Sequence, residues 1–279
     1  MSVLSNRLIK HWLDSVFSKT DYINVGGGNL ASVFVAAMQT LPDADGVGGV
    51  ELAAINAYAR VTVVNNATNF PVAALGDNRK ANGAAITFPT VTTAPWAAIN
   101  GLAVYETPSV NNTLLFAVDR PETSLLVGES LSLPVGTLVL RLANELAASG
   151  VSNILIKHWL DSVLGLSGGL TINANLTVKL MRTLPNVNGV GGVALTGAGY
   201  ADVTVTNNAT NWPLSILGTG EKVNGIDVAF PAATADWLPI AGVSIYSGSD
   251  VLCSIARPES VTAGQQLTFP AGSLKISIK

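Results

Sequence analysis

A single cysteine, Cys253, stands in 279 residues, so no disulfide framework can form within the chain. Charge is scarce as well. Asp, Glu, Lys and Arg make up 12% of the residues, against roughly 25% in an ordinary soluble domain. Fifteen Lys and Arg against eighteen Asp and Glu leave a formal net charge of −3. No basic excess exists to neutralise a phosphate backbone, so nucleic acid is not an expected partner. Mean hydropathy is +0.43, yet Gly, Asn and Thr interrupt every apolar stretch short of the ~20 residues of a spanning helix. Membrane insertion is not expected. The opening segment carries Asn6, Arg7, Lys10 and His11 where a signal peptide needs an apolar core, so the chain reads as made inside a cell without an export signal. Too few charges are present to coat a free monomer. The expectation is a subunit whose surfaces are partly covered by neighbours.

What the chain does have is self-similarity. Ser5–Val16 recurs as Ser152–Val163, and Thr40-Leu41-Pro42 as Thr183-Leu184-Pro185. Val63–Pro71 recurs as Val205–Pro213, with Trp212 in place of Phe70. Phe88-Pro89 and Trp96 match Phe230-Pro231 and Trp237, and Arg120-Pro121-Glu122 matches Arg257-Pro258-Glu259. The spacing between copies shrinks in small steps, and each step marks a length change, hence a loop. Two such loops fall within 17–39 and 106–112. The organisation expected is a first repeat over 1–142, a linker over 143–150 and a second repeat over 151–279.

Each repeat opens on a helical pattern. Ser5 can cap it, with Leu4 and Ile9 as a hydrophobic staple, and Ser152 with Val151 and Ile156 repeats the arrangement. Leu8, Ile9, Trp12, Leu13 and Val16 share one face, while Asn6, Arg7, Lys10, His11 and Asp14 share the other. Gly165 can stop the second copy. The period then changes to two: Leu138–Leu142 and Leu274–Lys279 alternate, and Leu131–Leu138 reads as a hairpin turning on Pro and Gly. Further strands are expected over 33–38, 60–64, 84–88, 101–106 and 113–118. The fold class is mainly β: two tandem antiparallel β-sandwich domains, each opened by a short amphipathic helix.

Candidate chemistry is thin. His11 and His158 occupy equivalent polar helix positions, with Asp14 and Asp161 three residues on, but no ligand spacing for a metal and no nucleophile accompanies them. Val47-Gly48-Gly49-Val50 and Val190-Gly191-Gly192-Val193 lack the Lys-Ser/Thr of a phosphate loop and read as turns. Cys253 corresponds to Phe116, which points to a buried position. No catalytic residue, cofactor or metal is expected. Trp12, Trp159, Trp96, Trp237, Phe70 and Trp212 pair across the repeats, and the exchange of Phe70 for Trp212 marks volume filling, so these six are the structural core candidates. The alternative is that the tryptophans stack on sugar. Asn66-Ala67-Thr68 and Asn208-Ala209-Thr210 have the form of glycosylation sites and read as turn residues.

Several segments together carry a resemblance. They are Tyr58-Ala59-Arg60, Phe88-Pro89 with Trp96, Gly101-Leu102-Ala103-Val104-Tyr105, Leu114-Leu115-Phe116, Val127-Gly128-Glu129 and Leu133–Leu138. The second copy offers Phe230–Trp237, Gly242–Tyr246 and Pro270–Leu274, and departs in having Asp202 where Arg60 stands. This arrangement resembles a family of tail-fibre-like virion proteins of tailed bacteriophages. The resemblance implies a non-enzymatic virion protein, tail-associated in a fibre or baseplate-like position, made in the host cytoplasm. Its partners would be other copies of itself and other virion proteins. The alternatives are a capsid decoration protein and a carbohydrate-binding module that attaches the particle to host surface glycan.

Overall fold

In the computed structural model, residues 2–4, 9, 12, 30–108, 113–142, 150, 151, 153, 155–157, 159, 172–216 and 219–277 are described. The first half contains β1 (Ser2–Leu4), β2 (Ser32–Thr40), β3 (Val50–Glu51), β4 (Val61–Val64) and β5 (Arg79–Ala81). It continues with β6 (Ile86–Thr87), β7 (Trp96–Tyr105), β8 (Leu114–Leu125), β9 (Ser132–Leu133) and β10 (Val139–Arg141). The second half contains β11 (Gly150–Val151), β12 (Asn175–Thr183), β13 (Val193–Ala194), β14 (Val203–Thr206) and β15 (Glu221–Val223). It ends with β16 (Val228–Ala232), β17 (Trp237–Ser247), β18 (Asp250–Val261), β19 (Gln266–Phe269) and β20 (Lys275–Ser277).

The two halves repeat one antiparallel topology. The first sheet runs β1-β8-β7-β2-β3 with β4 also on β2, and the second runs β11-β18-β17-β12-β13 with β14 on β12. The short ribbons β5–β10 and β6–β9 are matched by β15–β20 and β16–β19. Equivalence holds at single-residue register: Leu4 pairs Phe116 as Val151 pairs Cys253. Pro121 and Pro258 sit in β8 and β18 beyond the residues that β1 and β11 pair, at the part of the strand where a missing N–H is tolerated.

Period-two alternation divides each central strand between two faces. Val33, Val35 and Ala37 of β2 join the main core, while Ala36 and Met38 face the other way. There they meet Ala103, Tyr105, Leu114 and Ala117 in a second buried cluster. At the matching places in the second half stand Lys179, Ser244 and Ser254, and the two serine hydroxyls bond at 2.8 Å. The same sheet therefore has an apolar outer face in one half and a mixed one in the other, where Met181 and Val251 stay apolar beside Lys179, Ser244 and Ser254.

The segment over Leu131–Leu138 is not a hairpin. β9 pairs β6, whereas β10 pairs β5, so the turn hands the chain from one ribbon to the next. Asn82 explains why. Its buried side chain donates to the Ala84 and Pro134 carbonyls and accepts from the Leu138 N–H, satisfying backbone groups that a hairpin ladder would otherwise pair. Asn224 does the same for Ile226, Pro270 and Leu274. Of the opening helices, Ile9 and Trp12 are helical, as are Asn153, Leu155–Lys157 and Trp159. The caps Ser5 and Ser152, the stop Gly165, His11, His158, Asp14 and Asp161 lie outside the described residues, as do residues 143–149 and most of the loop expected from 17 onward.

Candidate functional site

The most heavily built polar arrangement lies under the β3–β4 edge. Tyr58 stacks on Phe88 and meets Trp96 edge-on, at centroid distances of 6.3 and 5.4 Å. Its hydroxyl accepts from the Ala37 N–H at 2.9 Å and donates to Glu51 Oε1 at 2.8 Å. Glu51 also binds Arg60, with Nη2 to Oε2 at 2.7 Å. The guanidinium lies 4.1 Å above the Tyr105 ring and donates to the Thr107 carbonyl. Burial and the neighbouring Glu51 carboxylate push the Tyr58 hydroxyl far above its ordinary range. Burial works against the Arg60 charge, but Glu51 outweighs it and holds the guanidinium above its ordinary value. Tyr105 is raised, chiefly by burial.

The second half builds the same arrangement from different residues. Tyr200 stacks on Phe230 and meets Trp237 edge-on, accepts from the Leu180 N–H, and donates to Asp202 Oδ1 at 2.7 Å. Asp202 pairs with Lys179 at 3.2 Å, and the Lys179 ammonium lies 5.0 Å from the Tyr246 ring centroid. The Tyr200 and Tyr246 hydroxyls are both raised, first by burial and then by Asp202. Asp202 thus occupies the place of Arg60, Ala194 that of Glu51, and Lys179 that of Ala36. The charge at each position changes: one sign is reversed, one charge is lost and one is gained. Both clusters nevertheless keep a carboxylate on one tyrosine hydroxyl and a cation over the face of the other ring. Phenols held neutral in this way clip an edge strand to its sheet. Among the described residues, no three His, Cys, Asp or Glu side chains gather as metal ligands.

The six residues singled out from the sequence are all buried, each at most 4% exposed. Trp96 and Trp237 donate through Nε1 to the carbonyls of Asn56 and Ala198 at 3.0 and 2.9 Å. Phe70 and Trp212 close turns in which Asn66 and Asn208 side chains accept from the N–H groups two and three residues on. Asn66 and Asn208 are accordingly turn residues. Asp43 and Asn186 organise the glycine-rich segments likewise, their side chains accepting from Val47 and Val190. Cys253 is fully buried, which pushes its thiol up and keeps it protonated. Trp12 and Trp159 come together: their rings stack at 6.0 Å and 14°, and Trp159 Nε1 donates to the Trp12 carbonyl at 3.1 Å. The parts that sequence reasoning passed over are Glu51, Lys179, Asn82 and Asn224. The visible signal was a paired one, since Arg60 becomes Asp202 in the same copy where Ala36 becomes Lys179.

Among the described residues, several aliphatic side chains are exposed. Val47, Val50 and Val72 are about half exposed or more, as are Val190 and Val193, with Leu214 somewhat less so. Around one tip the halves share a hydrogen-bond frame: Val91 N–H to Glu129 O and Gly128 N–H to Val91 O match Ala233 N–H to Gln265 O and Gly264 N–H to Ala233 O. On that frame the first half exposes Ile55, Leu126 and Val127 at 62%, 61% and 54%. The second half carries Gly197, Thr262 and Ala263 there. No described Trp, Tyr or Phe ring is classed as exposed.

A family model described as Podophage GP4 fiber I protein gp80 matches residues 3–141 and matches again over 150–277. No curated protein matches the chain.

Proposed function

Because the chain belongs to the podophage GP4 fiber I protein gp80 family, we propose that it is a non-enzymatic structural subunit of a tailed-phage fibre. In this reading it carries two copies of the family's module, bounded at 1–142 and 151–279 with a linker over 143–150, and assembles through contacts with copies of itself and other virion proteins. The observation that carries the reading is the double match, one per half. Two features support it. Most described aromatic rings are buried and none is exposed, which speaks against a sugar-stacking platform among the described residues. The exposed aliphatics at Ile55, Leu126 and Val127 belong to one half alone, so the shared frame does not require them and they are available for contact with a neighbouring subunit.

Imaging of the intact particle tests this. Density for the chain in a tail fibre, with the Ile55–Leu126–Val127 tip covered by protein, is the expected result. Density on the outer capsid, or a particle lacking the chain, would overturn it.

A further inference from the structure

We infer that the Trp12 surface is a module-to-module docking surface whose partner is a second copy of the same module, here supplied by the chain's own other half. The inference goes beyond the place of the protein in the particle and does not depend on it. Three observations carry it. First, the residue that meets Trp12 is its own counterpart, Trp159, stacked at 6.0 Å and bonded to its carbonyl at 3.1 Å. A surface that meets its own equivalent is the signature of pairing between like units. Second, both indoles are 0% exposed and Leu155 and Ile156 beside them at most 1%, within one apolar core that takes residues from both halves. A half on its own would uncover the indole face that its counterpart now covers. Third, the backbone of Gly76 in the first half approaches the second half closely: a Cβ there would stand 3.6 Å from Asn153 Nδ2 and 3.8 Å from Asn188 Oδ1. Asn153 is held for that contact by its bond to Asn188 at 2.7 Å and by the Val187 carbonyl.

The family model matches each half separately, so the unit that repeats is the single module. The tether between residues 142 and 150 raises the effective concentration of one module at the other, but the interface supplies the contacts. A single-module chain with this helix would meet a second copy through the same pair.

The test cuts the tether in the otherwise intact protein, through a protease site introduced between residues 142 and 150. The two fragments are expected to sediment together at the mass of the uncut chain down to micromolar concentration. Trp159→Phe keeps the ring and loses the N–H donor, and after cutting should weaken the pairing about tenfold. Trp159→Ala, where it folds, should release the fragments altogether. Separation of the cut parent at micromolar concentration would overturn the inference. So would cut Trp159→Phe fragments that hold together as tightly as the parent's.

Discussion

The indole N–H of Trp159 reaches the backbone carbonyl of Trp12 across 147 positions of sequence, with the two rings nearly parallel at 14°. That contact lies within one apolar core that takes residues from both halves. Trp12→Ala should therefore cost about 3–5 kcal/mol, the usual range for a large buried aromatic. Its unfolding should also lose coincidence between probes placed in the two halves, while the parent unfolds as one transition. Urea denaturation followed at one site in each half would check both.

The two ion pairs differ in burial, and their removal should differ accordingly. Arg60 and Glu51 side chains are 7% and 18% exposed, so Arg60→Ala leaves a largely buried carboxylate without its cation, still held by the Tyr58 hydroxyl, and should cost about 3 kcal/mol. Lys179 and Asp202 are 29% and 35% exposed, and Lys179→Ala should cost no more than ~1 kcal/mol. Equal losses in a denaturant comparison would contradict the burial argument.

Stability should decline in alkali. The Tyr58 and Tyr200 hydroxyls are raised above their ordinary value of 10.0, and the Cys253 thiol above its own of 9.0. Below pH 9 both folded and unfolded chains keep these protons, and pH has no effect through them. Above it the unfolded chain releases protons that the folded chain retains, so stability falls as pH rises. Melting at pH 8 and pH 11 should show the drop. Tyr58→Phe should start lower at pH 8, by about 1–2 kcal/mol for its lost hydrogen bonds, but fall less steeply.

Gly83 and Gly225 are fixed by close approach. A Cβ on either would collide with a backbone carbonyl oxygen, that of Thr68 or Thr210, and with Pro71 or Pro213 at 2.6 Å. Ala at either place should destabilise by about 1–3 kcal/mol. Gly197→Ala instead points into open space and meets only the strain of a φ of +75°, which should cost about 1 kcal/mol. Thermal melts of the three variants would rank them.

The tip of the first half can be tested with residues the second half already uses there. Leu126→Thr with Val127→Ala should leave stability nearly unchanged, because the shared hydrogen-bond frame accepts Thr262 and Ala263. Self-association measured by sedimentation should weaken. Unaltered association would move the assembly contact elsewhere.

Much of this architecture is legible in the chain itself. Self-similarity announces the duplication because the copies still share the residues that fill volume and shape turns. Alternation over Leu138–Leu142 and Leu274–Lys279 marks β10 and β20, because side chains on a strand divide between two faces. The pairing of Phe116 with Leu4 and of Cys253 with Val151 follows that equivalence. Other features resist such reading. Leu131–Leu138 has the composition of a hairpin, and only the buried amide of Asn82, distant in sequence, shows that its two ends pair with different strands.

Local pattern alone determined that there are two copies, that each is built mainly of strands, and that Asn66, Asn208 and the Val47–Val50 and Val190–Val193 segments turn the chain, because those outcomes depend on neighbours in sequence. Tertiary structure decided the rest. Asp202 in place of Arg60 looks like a loss until Lys179 on the adjacent strand is seen at 3.2 Å. Trp12 and Trp159 look like two fillers of separate cores until they stack on each other. Both depend on which surfaces meet once the strands and helices have packed, and residues brought together that way leave no periodic trace in the sequence.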